Sequence, residues 1–92
     1  MEVLPGHLIS YATTKTFTQD TIPENLTKEH DTKQGVWALI HVVKGELDYT
    51  ILGDAPETVA LSKDVRGVVS PTVKHFITPR GAVEVYIEFF RE

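Results

Sequence analysis

Short segments that alternate apolar and polar residues follow one another along this chain, and turns separate them. Residues 36–43 (VWALIHVV) and 82–90 (AVEVYIEFF) are rich in the β-branched and aromatic residues typical of strands. No window shows the sustained 3.6-residue period of an amphipathic helix. Turn-forming residues fall between the segments, as in Pro79-Arg80-Gly81. The pattern predicts an all-β fold, either a small barrel or a sandwich.

The predicted strands are short and closely spaced. Lys44-Gly45 lies between two of them and predicts a hairpin turn, and Pro79-Arg80-Gly81 predicts a break before the last strand. A closed barrel leaves no strand edge exposed, which suits so many apolar strands in 92 residues. The pattern predicts strands over residues 13–18, 26–30, 36–43, 46–52, 58–61, 73–78 and 82–90.

Length and composition exclude several classes of protein. A chain of 92 residues is expected to form one domain, residues 1–92. It has no cysteine, which excludes disulfides, thiolate metal sites and cysteine nucleophiles. The net charge is −4 and no basic cluster is visible, so nucleic-acid binding is not expected. Neither a membrane-spanning run nor a secretory signal is visible, and we expect a cytoplasmic protein.

His75 carries the strongest local indication of a functional site. It alternates with Val73 and Ile77, which predicts an inward-facing side chain. A histidine inside a small barrel needs a hydrogen-bond partner or a metal ion. Both interpretations stay open at this point: a pocket histidine that binds a metal or acts as acid or base, and a core histidine bonded to the backbone. The chain contains neither a G-x-S-x-G nucleophile motif nor a phosphate-binding glycine loop.

A second surface predicts self-association. Trp37, Leu39 and His41 share one face of a predicted strand, and this face is too apolar to lie in water. A domain this small gains stability when it buries such a face against a partner. We therefore expect a homodimer, with His41 in a structural role.

Two stretches resemble cupin motifs. VWALIHVVKGELDYTI resembles the strand–glycine–strand unit of the first motif, and GVVSPTVKHFITP, with His75, resembles the second. The first motif lacks its usual H-x-H pair and its glutamate, and Ala38 stands about where that glutamate would be. The resemblance implies a small cupin-like jelly-roll barrel.

A resemblance over almost the whole chain is more specific. The chain resembles the TehB/YeaR-like domain family, whose members occur alone or fused in front of the TehB tellurite-resistance methyltransferase. We expect no methyltransferase domain within these 92 residues. The order and spacing of the matching pieces carry the resemblance: Leu4-Pro5, Phe17-Thr18, Ile22-Pro23, HDTKQGVW (residues 30–37), VVKGELDY (residues 42–49), GVVSP (residues 67–71), His75, and residues 83–91 ending in IEFFR.

The family pattern implies a candidate site. It has histidines where His30 and His75 stand and an acid where Glu88 stands, a set that suits a divalent metal such as zinc, nickel or iron. The implied function is a metal- or ligand-binding module linked to tellurite resistance or a related stress response, with a small-molecule or oxyanion ligand. A small cupin metalloenzyme, of the dioxygenase or isomerase type, and a dimeric interaction domain without metal are the alternatives.

Overall fold

The computed structural model describes all 92 residues, and about half of them lie in strands. A single 3-10 turn, Glu24–Leu26, interrupts them, and no helix has the length or apolar character needed to cross a membrane. The all-β prediction is therefore confirmed. The strands are β1 Ile9–Thr13, β2 Phe17–Thr18, β3 Trp37–Ile51, β4 Glu57–Leu61, β5 Gly67–Val69 and β6 His75–Arg91.

One antiparallel sheet contains all six strands. Its main order is β1-β6-β3-β4, with β2 paired to β6 and β5 paired to β3. The long strands β3 and β6 pair along nearly their whole length and form the centre of the sheet. The sheet is not closed, since β1 and β4 remain as edges, so the closed jelly-roll barrel expected from the sequence is not confirmed.

The hairpin predicted at Lys44-Gly45 is wrong, because β3 continues through these residues. Gly45 adopts φ +81° and lies where the pairing of β3 with β6 shifts register. A Cβ atom at this position would clash with the carbonyl oxygen of Ala82. The glycine therefore permits a bulge and a close approach of two backbones, which the local sequence alone cannot distinguish from a turn. Strand β6 likewise continues through the break predicted at Pro79-Arg80-Gly81.

The segment between β2 and β3 is irregular, and the strand predicted over residues 26–30 does not form. Local hydrogen bonds satisfy its backbone instead: the amides of Leu26 and Thr27 donate to the carbonyls of Pro23 and Glu24. Only His30 joins the sheet, through an isolated bridge to His75. His30 is therefore the one residue of this segment that pairs with β6, and its partner His75 is the first residue of that strand.

The core lies on one side of β3 and β6. Val83, Val85 and Ile87 of β6 are buried there, together with Ala38 and Ile40 of β3.

Leu39 lies on the opposite face of β3 and is nevertheless only 5% exposed within the single chain. Trp37 and His41 beside it are half-buried. This face therefore exposes less apolar surface to solvent than the sequence predicted. The homodimer expected from it stays a prediction.

Candidate functional site

The structure brings His30 and His75 together through their backbones. The amide of His30 donates to the carbonyl of His75 at 3.0 Å, and the amide of His75 donates to the carbonyl of His30 at 2.8 Å. Directly opposed residues of an antiparallel bridge point their side chains to the same face. The two imidazole rings accordingly lie with their centroids 4.2 Å apart and their planes inclined by 58°.

Each ring is oriented by a hydrogen bond to a backbone carbonyl nearby in the sequence. Nδ1 of His30 lies 2.8 Å from the carbonyl oxygen of Lys28, and Nδ1 of His75 lies 2.9 Å from that of Val73. A carbonyl oxygen can only accept, so each Nδ1 carries the proton and donates it. In the neutral rings Nε2 is then the unprotonated nitrogen. Neither Nε2 has a hydrogen-bond partner within the protein.

Both rings line a cavity of about 330 Å³ between the core face of the sheet and the segment that follows β2. Its wall is predominantly apolar. Ala38 is part of the wall and contributes only a methyl group. The larger apolar side chains of the wall are Phe17, Leu26, Ile40, Val69, Ile77, Ile87 and Phe89.

Few other polar side chains reach the cavity. Asp31 and Asn25 also line it, and both are exposed, so they lie where the cavity meets solvent. Thr14 is committed to the backbone, since its hydroxyl donates to the carbonyl of Lys15 and accepts from the amide of Ile87. No lysine or arginine lines the cavity. Asp31 was not expected from the sequence, where it belonged to a polar turn.

Burial controls the protonation of the residues around His75. Desolvation lowers the pKa of His75 below its ordinary value, which keeps the ring neutral at neutral pH. Tyr49 packs edge-on against this ring, with centroids 5.7 Å apart, and its hydroxyl donates to the carbonyl of Val68 at 2.9 Å. Burial, with a smaller contribution from Glu57, raises the pKa of Tyr49, so that its hydroxyl stays protonated. Tyr49 therefore packs against the His75 ring as a neutral side chain.

The structure does not bring Glu88 to the two histidines. Ile87 and Phe89, its neighbours in β6, both line the cavity, so Glu88 points to the other face of the sheet because successive strand residues alternate. There its carboxylate accepts a hydrogen bond from Nε2 of His41 at 2.9 Å and one from the hydroxyl of Ser10 at 2.7 Å. The set of His30, His75 and Glu88 expected from the sequence is therefore not assembled around one point.

Ser10, His41 and Glu88 form a hydrogen-bonded cluster on this outer face, which we call the outer cluster. The ring of His41 also stacks on Tyr86, with centroids 4.6 Å apart and planes inclined by 15°. The hydrogen bond from Ser10, followed by the interactions with His41, lowers the pKa of Glu88. The cluster joins β1, β6 and β3. Sequence reasoning missed it because its members share no local pattern.

The chain provides two candidate metal ligands at the cavity. No group of three or more histidine, cysteine, aspartate or glutamate side chains is arranged to hold a metal ion. The two imidazoles have the orientation typical of metal-ligating histidines, in which the second ring nitrogen donates to a backbone carbonyl. A metal held here would need its remaining positions filled by water or by a bound molecule.

Comparison with solved structures identifies the fold. TehB from Haemophilus influenzae superimposes with a TM-score of 0.85 at 23% identity, covering 95% of this chain and 32% of the other. The present chain thus spans about a third of TehB. A protein from E. coli strain K12 superimposes with a TM-score of 0.86 at 21% identity, covering 98% of this chain and 96% of the other.

A more distant structure, FeII HppE, superimposes with a TM-score of 0.58 at 18% identity, covering 74% of this chain and 36% of the other. At these low sequence identities, the superpositions establish a shared fold and no more. No curated protein matches the sequence. The model of the TehB-like domain family matches residues 12–87, which include His30, His75 and most of the sheet. The chain therefore belongs to the TehB-like domain family.

Proposed function

We propose that this TehB-like domain binds a small molecule in the cavity beside β3 and β6, with His30 and His75 as its polar contacts. One observation carries the proposal: two neighbouring imidazole rings, whose Nε2 atoms have no protein partner, line a predominantly apolar cavity of about 330 Å³. Natural ligand sites combine these features, an apolar wall and a few convergent polar groups. The fold similarity to FeII HppE is consistent with this proposal.

Filling the cavity tests the proposal. Ala38 is 1% exposed and lines the cavity, so Ala38→Leu places three additional carbon atoms in the space of a ligand. Ala60 lies exposed on β4, and Ala60→Leu is the matched control. Ligand-observed NMR with a library of uncharged fragments should detect binders of the wild type and of Ala60→Leu, and the same fragments should be lost from Ala38→Leu. Equal binding to all three proteins would contradict the proposal.

A divalent metal ion is the second candidate ligand. The Nδ1-to-carbonyl hydrogen bonds favour it, because they orient both rings as in metal sites. One of the similar folds, HppE, was solved with iron(II). Zinc, nickel and iron(II) are the ions that imidazole suits.

Titration calorimetry with each ion, together with elemental analysis of the purified protein, tests this candidate. His30→Ala should remove the bound metal, whereas His7→Ala, at an exposed histidine away from the cavity, should not. Failure of all three ions to bind the wild type would exclude the metal.

Family membership supports a physiological role in tellurite resistance or a related stress response. The chain matches TehB over the chain's own length but leaves about two thirds of that protein unmatched. The contribution that we propose for this domain is ligand binding in the cavity. Cells that express His30→Phe should be less tolerant of tellurite than cells that express the wild type at the same level. Equal tellurite tolerance of the two kinds of cell would contradict a role of this site in tellurite resistance.

A further inference from the structure

The residues that line the cavity indicate which chemical class of ligand fits it. Resting on the function proposed above, we propose that its ligand is an uncharged molecule with an apolar body and at least one O–H or N–H donor, and not an oxyanion or a carboxylate. This assigns a chemical class to the ligand of the two histidines.

The direction of the hydrogen bonds follows from the two rings. With Nδ1 of each ring donating to a backbone carbonyl, each Nε2 keeps a lone pair, and both rings line the cavity. A lone pair binds an O–H or N–H group or a metal ion and repels an anionic oxygen. Since the ring centroids are 4.2 Å apart, a single polar group of the ligand can lie beside both rings.

The remaining charges of the cavity disfavour an anion as well. Asp31 is the only other ionisable side chain that lines it, and neither lysine nor arginine does. A carboxylate or oxyanion would therefore lose its hydration without gaining a cationic partner, which is unfavourable in an apolar enclosure. Phe17, Ile77 and Phe89 instead provide contacts for a hydrocarbon group.

The volume of the cavity sets the size of the ligand. An engineered apolar cavity of about 150 Å³ binds benzene. The cavity of about 330 Å³ here accommodates one ring with substituents or a branched chain. Three probes of nearly equal size therefore separate the effects of shape, donor and charge: toluene has no donor, benzyl alcohol has one, and benzoate is an anion. Tellurite is the inorganic anion to compare with them.

Dissociation constants from methyl-NMR titrations of the full chain test the proposal. Benzyl alcohol should bind about fivefold more tightly than toluene, the ratio that corresponds to one net hydrogen bond of about 1 kcal/mol. Benzoate and tellurite should bind more weakly than toluene. His30→Phe and His75→Phe should each reduce the advantage of benzyl alcohol, whereas His7→Phe, the same substitution at an exposed site, should preserve it. His30 is the less buried of the pair, so its variant provides the test where the His75 variant does not fold.

The other outcomes separate the two proposals. Benzoate or tellurite binding to the cavity more tightly than benzyl alcohol would overturn the assignment of the ligand class and leave the cavity as a ligand site. Equal binding of toluene and benzyl alcohol would also overturn that assignment, because the Nε2 atoms would then contribute nothing. If none of the four probes binds, the proposed function itself fails.

Discussion

The cavity histidines and the outer cluster use their ring nitrogens in opposite ways. In the cavity, Nδ1 of each ring donates to a backbone carbonyl, and neither Nε2 has a partner within the protein. On the outer face, Nε2 of His41 bonds Glu88, whose other oxygen accepts from Ser10. The partner of an imidazole thus decides what the ring still offers. The Nε2 atoms of the cavity pair have no protein partner, whereas the outer cluster uses its groups to join strands.

Alanine substitutions at His75 and His41 should separate the two regions by their effect on stability. His75 is 3% exposed and packs against Tyr49, so its loss creates a void and leaves the carbonyl of Val73 without its partner. His75→Ala should lower the free energy of unfolding by about 2–3 kcal/mol. His41→Ala should lower it by only about 1 kcal/mol. Urea denaturation measures both, and a larger loss for His41→Ala would reverse our ranking of the two regions.

Glu88→Gln sharpens the comparison by removing charge without changing shape. The amide cannot reproduce the charge-assisted bonds with Ser10 and His41, so the free energy of unfolding should fall by about 1 kcal/mol. The affinity for benzyl alcohol should not change, because Glu88 lies on the opposite face from the cavity. If the folded variant lost benzyl alcohol binding, Glu88 would be part of the ligand site, as the sequence predicted.

Acid should remove the contribution of the outer cluster. The pKa of Glu88 is lowered in the folded protein, so the unfolded chain binds the proton more tightly. The stabilisation is therefore complete above the unfolded pKa of about 4.3, and it is lost as the pH falls through the lower folded pKa. The difference in stability between wild type and Glu88→Gln should be constant from about pH 7 to pH 5 and should shrink in more acidic solution. A difference that grows below pH 4 would contradict the direction of this shift.

The sequence predicted these regions unequally, for physical reasons. The inward orientation of His75 followed from its alternation with Val73 and Ile77, a local property. The approach of His30 depends on a backbone bridge to a residue distant in sequence, so only the family resemblance indicated it.

Two other features could not be derived from local sequence. The orientation of Glu88 stayed undecided because β6 carries apolar residues on both faces, and the cavity lies on the face of Ile87 and Phe89. Gly45 was misassigned to a hairpin, since the difference between a turn and a bulge here depends on the carbonyl of Ala82 in another strand.

The smallest expected effect concerns Ser10. Its hydroxyl is the leading cause of the lowered pKa of Glu88, yet it lies at an exposed site. Ser10→Ala should therefore raise the pKa of Glu88 toward its ordinary value and cost no more than about 0.5–1 kcal/mol of stability. A carbon-13 NMR titration of the Glu88 carboxyl group measures the pKa. An unchanged pKa would mean that His41, and not Ser10, dominates the outer cluster.

The tautomers of the histidines test the central claim most directly. Long-range proton–nitrogen NMR correlations distinguish a ring protonated at Nδ1 from one protonated at Nε2. His30 and His75 should each carry a proton on Nδ1 and none on Nε2, while His41 should carry a proton on Nε2. A proton on Nε2 of either cavity histidine would remove the pair of lone pairs on which ligand binding depends, and it would contradict the proposed role of the two histidines.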